Sequence, residues 1–386
     1  MSFFLNEEQQ ALQEAARRFA QKELPALADS VEESGKPVPH DWLKRYAEMG
    51  FLGINTRPEY GGMGRPLLDA LVVMEEFAKI SVGVAFPVFE CCTGPVRIVE
   101  TFGSDALRNR VVPAVVEGKM LVAICMSEPD AGTALTDLRT RAVIEGDEIV
   151  INGSKRWCSG AGHSEGYVVF CRFDDIPGAK GIGAVYVDKD TPGLSFGQQE
   201  RLMGFRGVPS ADMAFDDVRV PRENLLVGAG GFARLMGLFN IERLGNSTMA
   251  LGVAAGALEQ VTAYVQERKQ FGKPIIDFQA VQIRLAEIAI KVEAARLLIH
   301  RAAAQVETGT PDLMQTSMAK CFANEITREV TATAMQLMGG YGYAKEYGME
   351  RRLRDSYGWG IAGGAIDIQK VNIAAQLVGR RFNQRG

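Results

Sequence analysis

Over the first 117 residues, apolar positions recur about every 3.6 residues rather than every two, which predicts helix. Asn6, with Gln9 three positions on, reads as a capping box that opens the first helix. Pro25 is expected to end or kink it. Further helical stretches cover roughly 41–49, 66–80, 87–102 and 104–116, broken by Gly61-Gly62 and Gly103. From about 120 to 227 the pattern changes to short runs separated by Gly, Pro, Asn and Asp. Val143 to Val150 alternate around Glu145-Gly146-Asp147, a hairpin signal. Residues 167–170, 184–187 and 213–215 are strand-like. Helical periodicity then returns, with Gly- and Pro-free stretches from Gly256 to Gly272, Pro274 to Gly309 and Pro311 to Gly339. A Gly-rich element, Gly358 to Ala365, interrupts the last helices.

The chain is therefore read as α+β in three blocks: a helical domain at 1–118, a β-barrel or sandwich at 119–229, and a four-helix bundle at 230–386. Its 386 residues suit two or three domains, and 47% hydrophobic content excludes global disorder. A net charge of −4 argues against a nucleic-acid or membrane-surface binder. The run MSFFLNEEQQ is acidic early and does not read as a signal or transit peptide, and no run of 18 apolar residues occurs. Six scattered cysteines without a C-x-x-C pair point to reduced thiols, and three scattered histidines do not suggest a metal site. The expected compartment is cytoplasm, or an organelle matrix if a presequence has been removed.

One residue carries most of the candidate chemistry. Leu235, Leu238, Glu242, Gly245, Met249, Gly252 and Gly256 follow a 3–4 spacing along one helix face, and Glu242 is the only carboxylate among them. Burial would raise its pKa toward neutrality, as a base for a weakly acidic C–H requires. A surface glutamate paired with Arg243 is the competing reading. The loop Cys125 to Thr133 could offer backbone N–H groups and the hydroxyls of Ser127 and Thr133 to a heterocycle or phosphate, or be only a turn. Trp157-Cys158-Ser159 suits stacking on a flat cofactor with one hydrogen bond. Arg268 to Lys273 could hold a pyrophosphate across a subunit boundary. Neither G-x-G-x-x-G nor G-x-x-x-x-G-K-[ST] occurs, so a Rossmann or P-loop site is not supported.

Together and in this order, the motifs resemble the acyl-CoA dehydrogenase family over essentially the whole chain. They include Pro58 to Gly62, Met126-Ser127-Glu128-Pro129 with Ala131-Gly132-Thr133, and Asn152 to Lys155 leading to Trp157. They continue through Phe215 to Val218, Arg268 to Lys273, Gln336 with Gly339-Gly340, and Arg354-Asp355. The resemblance implies FAD as cofactor. Met126 and Ser127 would meet the flavin, Trp157 would lie against its ring, and Ser159 would donate near N5. Arg268, Phe271, Gln336 and Gly340 would hold the FAD of a neighbouring subunit, and Thr133 and Arg243 would touch CoA. A homotetramer built as a dimer of dimers, with electron-transferring flavoprotein as acceptor, is implied too.

The chain departs from the family at one place. Where many members carry the catalytic glutamate after the Arg-Asp pair, this chain has Ile361-Ala362-Gly363-Gly364-Ala365. The isovaleryl-CoA, long-chain and carnitinyl-CoA-type branches place the base in a Glu-Arg pair instead, matching Glu242-Arg243 here. Gly363 keeps its backbone N–H and could still help bind the thioester carbonyl. The resemblance implies dehydrogenation of an acyl-CoA to a trans-2-enoyl-CoA in fatty or carboxylic acid catabolism. Small residues from Gly358 to Ala365 are expected to leave volume for branched, cyclic or aryl acyl groups. Arg97 is the remaining candidate to meet a distal carboxylate. An acyl-CoA oxidase, a desulfinase-like relative and a catalytically silent acyl-CoA binder are the alternatives.

Overall fold

The computed structural model of the chain describes residues 5–304 and 310–382. The N-terminal domain contains α1 (Glu7–Ser34), α2 (His40–Glu48), α3 (Leu67–Ala78), α4 (Val82–Cys92), α5 (Val96–Phe102) and α6 (Asp105–Val116). The capping box forms: Asn6 accepts from the Gln9 N–H and Gln9 accepts from the Asn6 N–H. Pro25 neither ends α1 nor interrupts it. It lies on the exposed face, so the carbonyl it leaves unpaired faces solvent while Leu24, Leu27, Ala28 and Val31 stay buried. The stretch expected as one helix from 87 to 102 is two, α4 and α5, divided at Thr93-Gly94-Pro95, with Pro87 inside α4. Val82–Phe102 is long and apolar enough to cross a membrane by composition, yet its apolar stretch is buried in this protein and it carries Glu90, Arg97 and Glu100.

The middle domain is one curled sheet of eight strands. These are β1 (Val122–Cys125), β2 (Arg141–Glu145), β3 (Glu148–Ser159), β4 (Gly166–Phe173), β5 (Ile182–Asp188), β6 (Leu194–Phe196), β7 (Ser210–Pro221) and β8 (Leu225–Val227). Their order is β6-β7-β3-β2-β4-β5-β8, with β1 joining β4 in parallel. The predicted hairpin is β2–β3, with Glu145 opposite Glu148 and Gly146 at a φ of +62°. Alternation decides what each face covers. Tyr167, Val169 and Cys171 of β4 face the interior of the sheet with Val185 and Met213, whereas Val168 and Phe170 face the helical core.

The C-terminal domain runs α7 (Phe232–Glu267), a hairpin of β9 (Lys269–Gln270) and β10 (Lys273–Pro274), α8 (Gln279–Ala304), α9 (Leu313–Met338), α10 (Gly340–Tyr343), α11 (Met349–Asp355) and α12 (Ile366–Val378). The predicted helix limit at Gly309 lies outside the described residues. Helix α7 continues unbroken through Gly237, Gly245, Gly252 and Gly256. Three of these glycines explain how α7 docks. A Cβ on Gly245 would stand 2.1 Å from Thr93 Oγ1, one on Gly252 2.4 Å from Ala78 Cβ, and one on Gly256 2.4 Å from the Lys79 carbonyl oxygen. The stripe thus brings the α7 backbone directly against the N-terminal domain. Glu75 on α3 pairs with Arg296 on α8 at 2.7 Å to close the same seam. All six cysteines are free and buried.

Gly252→Val should force α3 and α7 apart and lower stability by about 1–3 kcal/mol. Urea unfolding should show a lower midpoint at an unchanged slope.

Candidate active site

Glu242 lies on α7 between the N-terminal domain and α9, half-buried, and every residue from Arg243 to Ala257 behind it is buried. Burial raises its pKa to about 8, opposed by the charges of Lys320 and Arg243. Lys320, on α9, has no exposed surface. Burial lowers its pKa to about 7, the Arg243 charge lowers it further, and Glu242 opposes. Arg243 is itself pushed down to about 10 by burial. Its guanidinium donates to Asn240 Oδ1 at 2.6 Å, lies over the Phe239 ring, and leaves a buried Nε without a protein partner. On α4, burial raises Glu90 well above the usual carboxylate range, with the Glu242 charge as the second cause. Glu90 Oε2 is buried and unpartnered. Three helices therefore supply a cluster of two carboxyls and two cations in a dry seam.

The Gly-rich element closes this cluster. Gly363 and Gly364 have φ of +65° and +88°, a backbone that favours glycine. Lys320 Nζ donates to the Ala362 carbonyl at 2.6 Å, and Asn246 Nδ2 lies 3.4 Å from both the Ala362 and Trp359 carbonyls. The glycines were expected to leave volume, and they do not. A Cβ on Gly358 would strike the Phe205 ring at 2.3 Å, one on Gly360 Arg328 at 2.4 Å, one on Gly363 Lys320 Nζ at 3.0 Å and one on Gly364 Gln369 at 2.7 Å. Larger neighbours have moved into the space. Arg97 is also unsuited to its candidate role, because it bonds the Asn55 carbonyl, Thr56 Oγ1 and the Glu100 carboxylate.

The loop after β1 is built by an ion pair. Buried Lys155 donates to Glu128 Oε1 at 2.8 Å and to the Met126 carbonyl at 3.1 Å. Glu128 in turn accepts from the backbone N–H groups of Arg139 and Thr140. This clamp leaves Met126 and Ser127 half-buried and Thr133 exposed. The Ser127 carbonyl accepts from the Arg156 N–H at 2.9 Å, which ties the loop to β3. Trp157 lies within β3, at a bulge between Lys155 and Cys158, rather than beyond the strand. The bulge gives it a φ of +60° and leaves its ring 52% exposed, with half-buried Ser159 two residues on. At the far end of α7, Arg268 lies over the Tyr341 ring. With Gln336, Gly340 and Tyr264 it lines an open groove of about 560 Å³. Phe271 stands at the hairpin tip, 94% exposed at a φ of +51°.

Comparison with known proteins agrees with this arrangement. The acyl-CoA dehydrogenase N-terminal, middle and C-terminal domain models match residues 6–119, 123–218 and 229–378. The chain belongs to the acyl-CoA dehydrogenase family. It is 36% identical over 381 residues to the caffeyl-CoA reductase-Etf complex subunit CarC of Acetobacterium woodii, covering 97% of this chain and 99% of that protein. It is equally 36% identical over 390 residues to the 3-sulfinopropanoyl-CoA desulfinase of Paraburkholderia xenovorans, covering 99% of each. The butyryl-CoA dehydrogenase structure from Megasphaera elsdenii superposes with a TM-score of 0.93 at 31% identity, covering 98% of this chain and 100% of that one.

As a member of this family the protein is an FAD-dependent oxidoreductase. The residues present fit such a group. A large ring exposed on a bulge beside the Met126-Ser127 loop suits one flat face, and an exposed Phe271 beside an open groove suits a dinucleotide reaching in from outside. Among the predicted site residues, Glu242, Arg243 and Gly363 converge on the seam, with Gln369 Nε2 donating to the Gly364 carbonyl at 3.3 Å at its edge. Met126, Ser127, Trp157 and Ser159 share the β1–β3 surface. Arg268, Gln336 and Gly340 share the groove, with Phe271 at its rim on the hairpin.

Lys320, Asn246, Glu90 and the Glu128–Lys155 clamp were not anticipated. A signal for the first was available. Ser317, Lys320, Asn324, Thr327 and Thr331 follow a 3–4 spacing and are all buried on α9. They form a polar stripe opposite the one that singled out Glu242.

Between the ordinary carboxylate value and about 8, folded Glu242 holds a proton that the unfolded chain has released. Its contribution to stability is therefore full at low pH and lost as pH rises through about 8. Glu242→Gln should match the parent stability near pH 5 and exceed it at pH 9 by at least ~1 kcal/mol. Thermal unfolding of both proteins at the two pH values checks this.

Proposed function

We propose that Glu242 is the base that takes the α-proton from an acyl-CoA thioester. The observation that carries this reading is a half-buried carboxyl at the edge of a buried seam with Lys320, Arg243 and Glu90, where burial raises its pKa to about 8. Desolvation makes the carboxylate a stronger base, and the nearby cations keep the ionised form accessible. The Gly363 N–H donates to the thioester carbonyl, which stabilises the charge that develops as the proton leaves. Held by the residues named below, FAD would supply the hydride-accepting chemistry for the β-carbon. The product is a trans-2-enoyl-CoA. Run in reverse, the same carboxyl returns the proton to the α-carbon, so similarity to a reductase subunit fits this site as well.

Thr133 and Arg243 hold the pantetheine and nucleotide portions of CoA, with the unpartnered Arg243 Nε free to donate. Met126, Ser127, Trp157 and Ser159 hold the isoalloxazine. Arg268, Phe271, Gln336 and Gly340 hold the dinucleotide of a neighbouring subunit, so the working assembly is a homotetramer built as a dimer of dimers. Electron-transferring flavoprotein is the proposed acceptor, in keeping with the Etf-complex relative. Six free thiols suit a reducing compartment, cytoplasm or organelle matrix. A desulfinase reading has a named relative in its favour, but the raised carboxyl at Glu242 supports proton abstraction.

In an anaerobic screen of straight, branched, cyclic and dicarboxylic CoA thioesters, the best substrate should bleach the flavin of the parent protein. Glu242→Gln should slow that bleaching about 10²–10⁴-fold. Unimpaired bleaching in the variant removes Glu242 as the base. In the parent protein, bleaching should accelerate as pH rises through about 8, because only the deprotonated carboxyl accepts the proton. Arg268→Ala should lose most of its flavin on gel filtration while keeping its helical circular dichroism.

A further inference from the structure

The peptide that links Ala362 to Gly363 is shared by two different partners. Its carbonyl is gripped from the protein side, by Lys320 Nζ at 2.6 Å and Asn246 Nδ2 at 3.4 Å. Its N–H is that of Gly363, and among the described residues no protein group accepts from it. A trans peptide is planar, so its C=O and N–H point in opposite directions. Whatever fixes the carbonyl therefore fixes the direction of the donor. Pulling electron density toward the carbonyl oxygen also makes the N–H a stronger donor, as in any chain of hydrogen bonds.

Besides moderating Glu242 through its charge, Lys320 is placed for this. Its side chain is fully buried on α9, and the Ala362 carbonyl is its one hydrogen-bond acceptor among the described residues. A side chain at residue 363 would press on both Lys320 and Asn246. A Cβ there would lie 3.0 Å from Lys320 Nζ and 3.2 Å from Asn246 Nδ2. Asn246 is itself oriented by Asn324, whose Nδ2 donates to its Oδ1 at 3.3 Å and to the Lys320 carbonyl at 2.9 Å. The bare Gly363 and the buried amine and amide behind it thus share one close-packed site.

We infer that Lys320 and Asn246 are positioning residues for the thioester carbonyl, acting through the Ala362–Gly363 peptide to aim and polarise its N–H. This rests on the reading of the Gly363 N–H as a carbonyl donor, and it assigns to α9 a part in the reaction that Glu242 does not cover.

The test uses the FAD-loaded enzyme with crotonyl-CoA carrying ¹³C at the thioester carbonyl. Infrared difference spectra should show the carbonyl band shifted to lower frequency on binding to the parent protein. Lys320→Met should remove at least about half of that shift and slow flavin reduction by the best acyl-CoA about 10- to 100-fold, while crotonyl-CoA affinity changes less than about threefold. Asn246→Ala should remove a smaller part, and it provides the readout if the first variant does not fold. A band unmoved by either substitution overturns the inference, because a purely structural role would leave it in place. Glu242→Gln should keep the full band shift while losing flavin reduction, so failure of the base assignment is seen separately. Absence of any shift in the parent protein overturns the Gly363 donor reading and this inference with it.

Discussion

A carboxyl group kept from water is costly unless it is protonated or paired, and the rest of this structure is arranged around that cost at Glu242. Helix α7 can exclude water there only because Gly245, Gly252 and Gly256 let its backbone meet Thr93, Ala78 and Lys79 directly. Larger residues would hold the N-terminal domain away and open the seam. The cations that moderate the burial, Lys320 and Arg243, come from α9 and α7, so the site exists only when both long helices are docked. Their own pKa values fall for the same reason that the carboxyl rises: none of the three has enough water to be charged comfortably.

The helical domains and the sheet share the work unequally. The seam between α4, α7 and α9 holds the titratable cluster of Glu90, Glu242, Arg243 and Lys320. The sheet holds an aromatic surface, made by a bulge that turns Trp157 outward and a Glu128–Lys155 clamp that shapes the adjoining loop. The two are linked by Arg354 and Asp355. Asp355 accepts from the Phe205 N–H at 2.7 Å, and Arg354 reaches Glu32, Glu350 and the Met203 carbonyl. Phe205 then packs on Trp359 with ring centres 4.7 Å apart, beside the element that carries Gly363. One motif thereby binds the first helix, the sheet and the last loop into a single frame.

The architecture was largely legible from periodicity. Apolar spacing near 3.6, then short strand-like runs, then long Gly- and Pro-free stretches marked the three domains, and the β2–β3 hairpin fell where its turn residues lie. Local rules failed where tertiary contacts outweighed them. Pro25 sits inside α1 because the carbonyl it leaves unpaired faces solvent, and α7 runs through Gly245, Gly252 and Gly256 because docking against the N-terminal domain rewards their small size. The division of 87–102 into α4 and α5 was missed because its apolar residues are buried on every side, which erases the amphipathic signal.

What the chain by itself determined is that Glu242 is the lone carboxylate in a 3–4 stripe of apolar residues and glycines, because helical spacing puts all seven on one face. What only the tertiary structure decided is what that carboxylate faces. Lys320 and Glu90 lie 78 and 152 residues from Glu242 along the chain and no local pattern relates them to it, whereas Asn246 is one helical turn on but its partners Trp359 and Ala362 are more than 100 residues away. The same limit explains the misjudged glycines. A missing side chain in a sequence reads as space, but a close-packed interior fills it: Phe205, Arg328 and Lys320 arrive from distant segments, and Gln369 from the next helix, to do so.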